Sequence, residues 1–275
     1  MKLKLVKASQ GFVWLRQGLW ACRRQPLSFI GLLGLVASAA LLFMGLPIVG
    51  PLLLVGGMPL MWLGFMLATR RVLHGERVTP AVLIEPFKGA QAPRRALWQL
   101  AGSYVLATLL IMQIAEWLGP GSDVLAEAFQ NADSVGELIN NPLIQQDMLW
   151  RMLLTLPVSL VFWHTPALVL WARLPVSKAL FFSAVACWRN LGAFAVYGLG
   201  WFGIVVALGL LDRLVLTLIP VPFLSNVLAI TAGMWVAAAF YASLYFTVVD
   251  CFEPSAPSES DDQPVNLSTP SNGQA

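Results

Sequence analysis

The chain has 275 residues, of which 58% are hydrophobic and 11% charged, with a mean hydropathy of +0.73 and a formal net charge of +3. Soluble domains are roughly 45–50% apolar and about 25% charged, so this composition excludes a soluble enzyme. The small net charge averages two opposed populations, a basic set beside the apolar runs and an acidic set in one long loop.

In chain order, the Lys-rich start leads into residues 8–25, where Phe12, Leu15, Leu19 and Cys22 recur at helical spacing among Arg16, Arg23 and Arg24. That pattern predicts an amphipathic helix lying in the membrane interface, with its arginines snorkelling to phosphates. Apolar runs follow whose length, about 20 residues, matches a hydrocarbon core of ~30 Å at 1.5 Å per helical residue. They pair as three hairpins: Leu27–Leu46 with Leu52–Ala68, Leu97–Leu118 with Leu149–Trp171, and Leu191–Leu211 with Asn226–Val248. A second interfacial segment, Pro175–Asn190, precedes the third hairpin, and Thr79–Arg95 occupies the equivalent place before the second. The loop 119–148 is the only sizeable piece on the outer side. Ser134 with Glu137 forms a capping box there, and Asn141-Pro142 closes one short helix and opens the next. The expected organisation is a transmembrane domain over 1–253 followed by a disordered cytoplasmic tail over 254–275, rich in Ser, Pro and Asp.

Lys and Arg in short loops are retained on the cytoplasmic side. Every basic residue except Arg151 and Arg213 falls on the side that holds both termini, which predicts that both ends are cytoplasmic. Asp123, Glu127, Asp133, Glu137 and Asp147 lie on the other side. The basic residues flank spans, where anionic lipid headgroups are their natural partners, and no solvated basic domain suggests nucleic acid. Ala37-Ser38-Ala39 resembles a signal-peptide cleavage site but lies inside a full-length span, so an uncleaved chain is expected. Cys22, Cys187 and Cys251 fall on the predicted cytoplasmic side without zinc-like spacing, so neither disulfide, metal nor cofactor is expected.

The hairpins resemble one another. Cys22, Arg24 and Phe29 recur at one constant offset as Cys187, Arg189 and Phe194, and Gly57-Met58 of the second span recurs as Gly233-Met234 of the sixth. An internal repeat of interfacial helix, span, turn and span follows. Its copies are parallel because each starts on the same side, with a diverged copy in the middle.

Several constellations could carry function. Gly198-Leu-Gly200-Trp-Phe-Gly203 fits a dinucleotide fingerprint by letter, but inside a membrane helix its amides are already bonded, so close helix packing is the expected role. Gly31, Gly34, Ser38 and Gly45 form a comparable stripe in the first span, as do Ala238, Ala239, Ala242 and Ser243 in the sixth. His164, in Phe162-Trp-His-Thr-Pro166, is the one histidine within a span. It could serve a proton path or ligand, or bond a neighbouring helix as a neutral imidazole near the carbonyl that Pro166 frees. Asp212 and Arg213 lie near the outer interface, where Arg151 could pair with Asp212 or Glu116 across helices. At the other end, Asp250 and Glu253 could attract Arg24 or Arg189 to form a cytoplasmic clasp. No intramembrane-protease signature and no phosphate loop is found, so no catalytic residue is assigned and a non-enzyme is expected.

The start Gln10-Gly-Phe-Val-Trp-Leu-Arg-Gln-Gly-Leu, the turn Arg24-Gln-Pro-Leu, the segments beginning at Phe162 and Cys187, and the closing Tyr245-Phe-Thr with Asp250-Cys-Phe-Glu carry a resemblance. The chain resembles an uncharacterised family of proteobacterial six-span inner-membrane proteins over about residues 1–253. The resemblance implies location and architecture and brings no activity. The expected fold is an all-α polytopic helical bundle with interfacial amphipathic helices. A non-catalytic membrane partner or envelope-organising protein, associating with another membrane protein or with its own copies, is the first functional expectation. The alternative is a transporter or lipid-handling protein with a polar path near His164, Arg151 and Asp212.

Overall fold

The computed structural model describes residues 2–132, 135–218 and 221–253. The expected tail, Asp133 and the capping Ser134 lie outside the described residues. Among those described, six helices are long and apolar enough to cross a membrane. They are α2 (Pro26–Met44), α3 (Val49–Leu73), α4 (Arg94–Leu118), α7 (Pro142–Phe162) continued by α8 (Thr165–Trp171), α10 (Leu191–Leu218) and α11 (Pro222–Cys251). Two more helices, α1 (Gln10–Arg24) and α9 (Val176–Arg189), precede the first and third hairpins, while α5 (Ser122–Gln130) and α6 (Val135–Asn140) occupy the long loop. Asn141 caps α7 by accepting from the Leu143 amide at 2.9 Å, as the Asn-Pro pair predicts. The middle copy departs from the expected repeat. Where an interfacial helix is expected over Thr79–Arg95, Pro86 lacks the amide a helix interior needs, and the chain forms two 3-10 turns, Pro80–Leu83 and Glu85–Phe87.

Packing is uneven along the bundle axis. Buried side chains gather at the end that carries both chain termini: Phe29 and Leu32 of α2, Leu63 to Val72 of α3, Leu97 to Tyr104 of α4, and Ala193 to Trp201 of α10. The far half of α10 faces outward, with Phe202, Leu210 and Leu218 each about two-thirds exposed, as suits a surface solvated by lipid.

Helix α1 is seated differently from its expected position. Phe12 is 57% exposed, whereas Gly11, Trp14, Leu15, Gly18, Ala21 and Cys22 are buried against α10 and α11. The cause is backbone approach: a Cβ on Gly11 would stand 2.1 Å from the Ala193 carbonyl oxygen, and one on Gly18 would stand 2.3 Å from Ser243 Cβ. Small residues let helices close to this distance, so the stripe of Ala239 and Ser243 finds its partner in α1. Of the fingerprint-like glycines only Gly200 is packed, against Leu15; Gly198 and Gly203 face open space, as do Gly31 and Gly34 in α2.

Beyond the helices, β1 (Lys2–Leu3) pairs antiparallel with β2 (Phe252–Glu253), joining the two ends of the described chain.

Candidate functional site

Pro166 cannot donate to the carbonyl four residues before it, and the fourth span breaks there between Phe162 and Thr165. Helix α9 takes up two of the groups at the break. The His164 amide donates to Ser183 Oγ at 2.9 Å, and that hydroxyl donates to the Leu160 carbonyl at 3.2 Å.

The His164 side chain lies in the centre of this joint and is wholly buried. Phe194 and Phe252 meet its ring edge-on at 5.7 and 5.3 Å, and Nδ1 stands 3.6 Å from Cys187 Sγ. Its Nε2 has no hydrogen-bond partner among the described residues. Next to it, Trp163 Nε1 donates to Thr247 Oγ1 at 3.1 Å. Cys251 Sγ accepts from Asn190 Nδ2 at 3.7 Å, and Asn190 also donates to the Lys4 carbonyl and accepts the Val6 amide at 2.8 Å. The amide of Lys4 closes the lid by donating to the Cys251 carbonyl at 2.9 Å. One asparagine thereby stitches the N-terminal segment over a pocket of imidazole, two thiols and rings. Burial pushes the Cys187 thiol well above its ordinary value, and it pushes Cys22 up to about 11. Such thiols stay protonated at neutral pH and are poor nucleophiles. Among the described residues no group of three or more His, Cys, Asp and Glu is arranged to hold a metal.

The clasp at this end uses other partners than the expected arginines. Asp250 accepts from Gln10 Nε2 at 2.6 Å and from Trp14 Nε1 at 2.7 Å, while Glu253 pairs with Lys4 at 3.7 Å. Arg189 is exposed, and Arg24 lies over the Trp20 ring at 4.8 Å. The reason is phase: the face of α1 that meets α11 carries Gln10 and Trp14, and its arginines point away.

At the opposite end, Arg151 faces the charge of Glu116, one of its two expected partners, but makes its hydrogen bond elsewhere. Arg151 donates to Asp147 one turn earlier at 2.7 Å, Glu116 accepts the Ser122 amide at 2.6 Å, and Asp212 accepts from Ser225 Oγ at 2.6 Å. Arg213 is exposed, and its carbonyl accepts from Thr217. His164 follows Arg151 by almost four helical turns, roughly 20 Å of rise. Asp212 instead edges an apolar crevice of about 780 Å³ between α10 and α11, walled by Trp201, Val205, Val236 and Phe240. Among the described residues no hydrogen bond or ion pair links His164, Arg151 and Asp212 to one another.

A probable inner membrane protein of Burkholderia thailandensis is 35% identical to this chain over 267 residues, covering 94% of this chain and 97% of its own length. The chain belongs to that inner-membrane family. No family model and no solved structure matches it. Membership makes the six-span bundle a multi-pass protein of the inner membrane, and it gives the two ends of the bundle different surroundings from its lipid-facing middle.

Sequence reasoning finds His164 but not the groups gathered around it. Ser183 and Asn190 belong to α9 and its end while Cys251 ends α11, and no spacing along the chain announces that the two helices meet at His164. Gln10 and Trp14 are passed over because neither is charged, although an amide and an indole donate to a carboxylate as well as an arginine does in a half-buried site.

Proposed function

We propose that this inner-membrane protein is a non-catalytic component that associates, through lipid-facing helix surface, with another membrane protein or with its own copies. Its basic end faces the cytoplasm with both termini, a reading supported by the distribution of Lys and Arg. The observation that carries the association is on α2. Gly31 and Gly34 meet no atom within 4 Å of where a Cβ would stand, whereas Gly11 and Gly18 are filled by α10 and α11. Small residues one turn apart on a span allow a second helix to approach closely. This reading is preferred to a transporter because Arg151 and Asp212 bond different partners and no described hydrogen bond joins either of them to His164.

Gly34→Leu tests this reading with little risk to the fold, because nothing in the chain lies against that position. In blue-native electrophoresis of gently solubilised membranes, the wild-type protein should migrate as an assembly larger than one chain, and the variant should fall to the mass of a monomer. Identical migration of the two would refute an association through α2.

A further inference from the structure

The basic end holds a cleft that none of the foregoing uses. It lies between the end of α3, the turns that follow it and the end of α8, and has a volume of about 640 Å³. Its floor is apolar, built from Leu67, Leu170 and Trp171, and its rim carries Arg70, Lys88 and Arg173. Glu85 also lines it, but that carboxylate is held by Arg71 at 2.8 Å. Among the described residues Arg70 and Lys88 form no ion pair.

The loop along the rim is arranged to show donors. Arg94 takes the carbonyls of Phe87 and Gly89 at 2.8 and 3.3 Å, and Arg173 takes that of Gln91 at 2.5 Å. Among the described residues the amides of Gly89, Ala90 and Gln91 donate to no backbone carbonyl, and the buried Nε1 of Trp171 has no partner. Arg173 holds a left-handed backbone with φ of 54°. That residue follows the end of α8, where a left-handed conformation commonly closes a helix. The topology rule explains why basic residues are found at this end. It does not require that three of them converge on one concavity.

We propose that this cleft binds a phosphate anion, either the headgroup of an anionic lipid or a free phosphate. Guanidinium groups match phosphate oxygens with paired donors, a lysine adds a point charge, and unpaired amides complete the set. The site is independent of the association through α2, so Gly34→Leu should leave it intact.

Native mass spectrometry of the full chain in mild detergent tests the site, with phosphatidylglycerol, phosphatidylcholine and inorganic phosphate as probes. Wild type should retain phosphatidylglycerol or phosphate over phosphatidylcholine. Arg70→Gln with Lys88→Gln, both at exposed positions, should weaken that retention at least tenfold, on the order of 1.4 kcal/mol. Arg16→Gln with Arg23→Gln, exposed on α1 and outside the cleft, should not. If inorganic phosphate binds alone or displaces the lipid, the ligand is free phosphate; if only the lipid is held, it is the headgroup. Equal losses in the two double variants, or no preference in wild type, would overturn the proposal.

Discussion

Gly18→Ala asks whether α1 is a structural member of the bundle or a helix resting on it. A methyl added to an unobstructed helix is favourable, by about 0.5–1 kcal/mol, because glycine loses the most backbone entropy on ordering. At Gly18 that methyl would lie 2.3 Å from Ser243 Cβ and 2.7 Å from the Ala239 carbonyl oxygen. Two carbons prefer about 3.5–4.0 Å, so α1 must retreat from α11 by more than about 1 Å. Overpacking of this kind costs typically 1–3 kcal/mol, which outweighs the gain in propensity. The apparent Tm of the purified protein, read by fluorescence-detected size exclusion, should therefore fall by several degrees. Gly34→Ala, the same chemical change where nothing lies within 4 Å, should leave Tm unchanged or raise it. Gly11→Ala, which meets the Ala193 carbonyl and the Tyr197 amide, should not be rescued by trimming any side chain. A Gly18→Ala protein as stable as Gly34→Ala would refute the seating of α1 described above.

Asp250→Ala leaves the donors of Gln10 and Trp14 without their acceptor, at about 1–3 kcal/mol for each buried group, and should loosen the N-terminal segment. Trypsin should then cut after Lys7 or Arg16 faster than in wild type, with Asp250→Asn intermediate; equal rates would count against the clasp. Cys22 gives a pH dependence of definite sign. Its value is raised from 9.0 to about 11 by burial, so the unfolded chain loses its proton first. The contribution to stability is complete below pH 9.0 and is lost as pH rises to about 11. Wild type should accordingly lose Tm faster than Cys22→Ala over that interval, and parallel curves would show that the thiol does not titrate differently on folding.

The spans were legible because hydropathy and length are one-dimensional quantities. Each apolar run corresponds to a long helix, and the break at His164 follows from Pro166. Helix ends extend beyond the apolar runs, as at Leu73, because the last turn of α3 carries Arg70 and Arg71, which hydropathy discounts and the backbone does not. The phase of α1 is legible in part, since Leu15 and Cys22 are buried as their spacing predicts. Glycine contributes little to an apolar stripe, yet Gly11 and Gly18 decide which face can approach its neighbours, and Phe12 is left outside. The partners of Asp250 and of His164 were out of reach because they depend on helix rotation and on elements far apart in the chain.

The pairing of β1 with β2 also has a consequence for biogenesis. The first helix made is completed by the last: Trp14 and the glycines of α1 cannot be covered until α10 and α11 have left the ribosome and entered the membrane. At about 5–20 residues per second, the intervening chain keeps that surface uncovered for roughly 10–40 s. During that interval the early hairpins are inserted while their amino-terminal seam is still open to insertion factors and to proteases. A chain truncated before its third hairpin would leave Trp14 and the glycines of α1 without the helices that cover them.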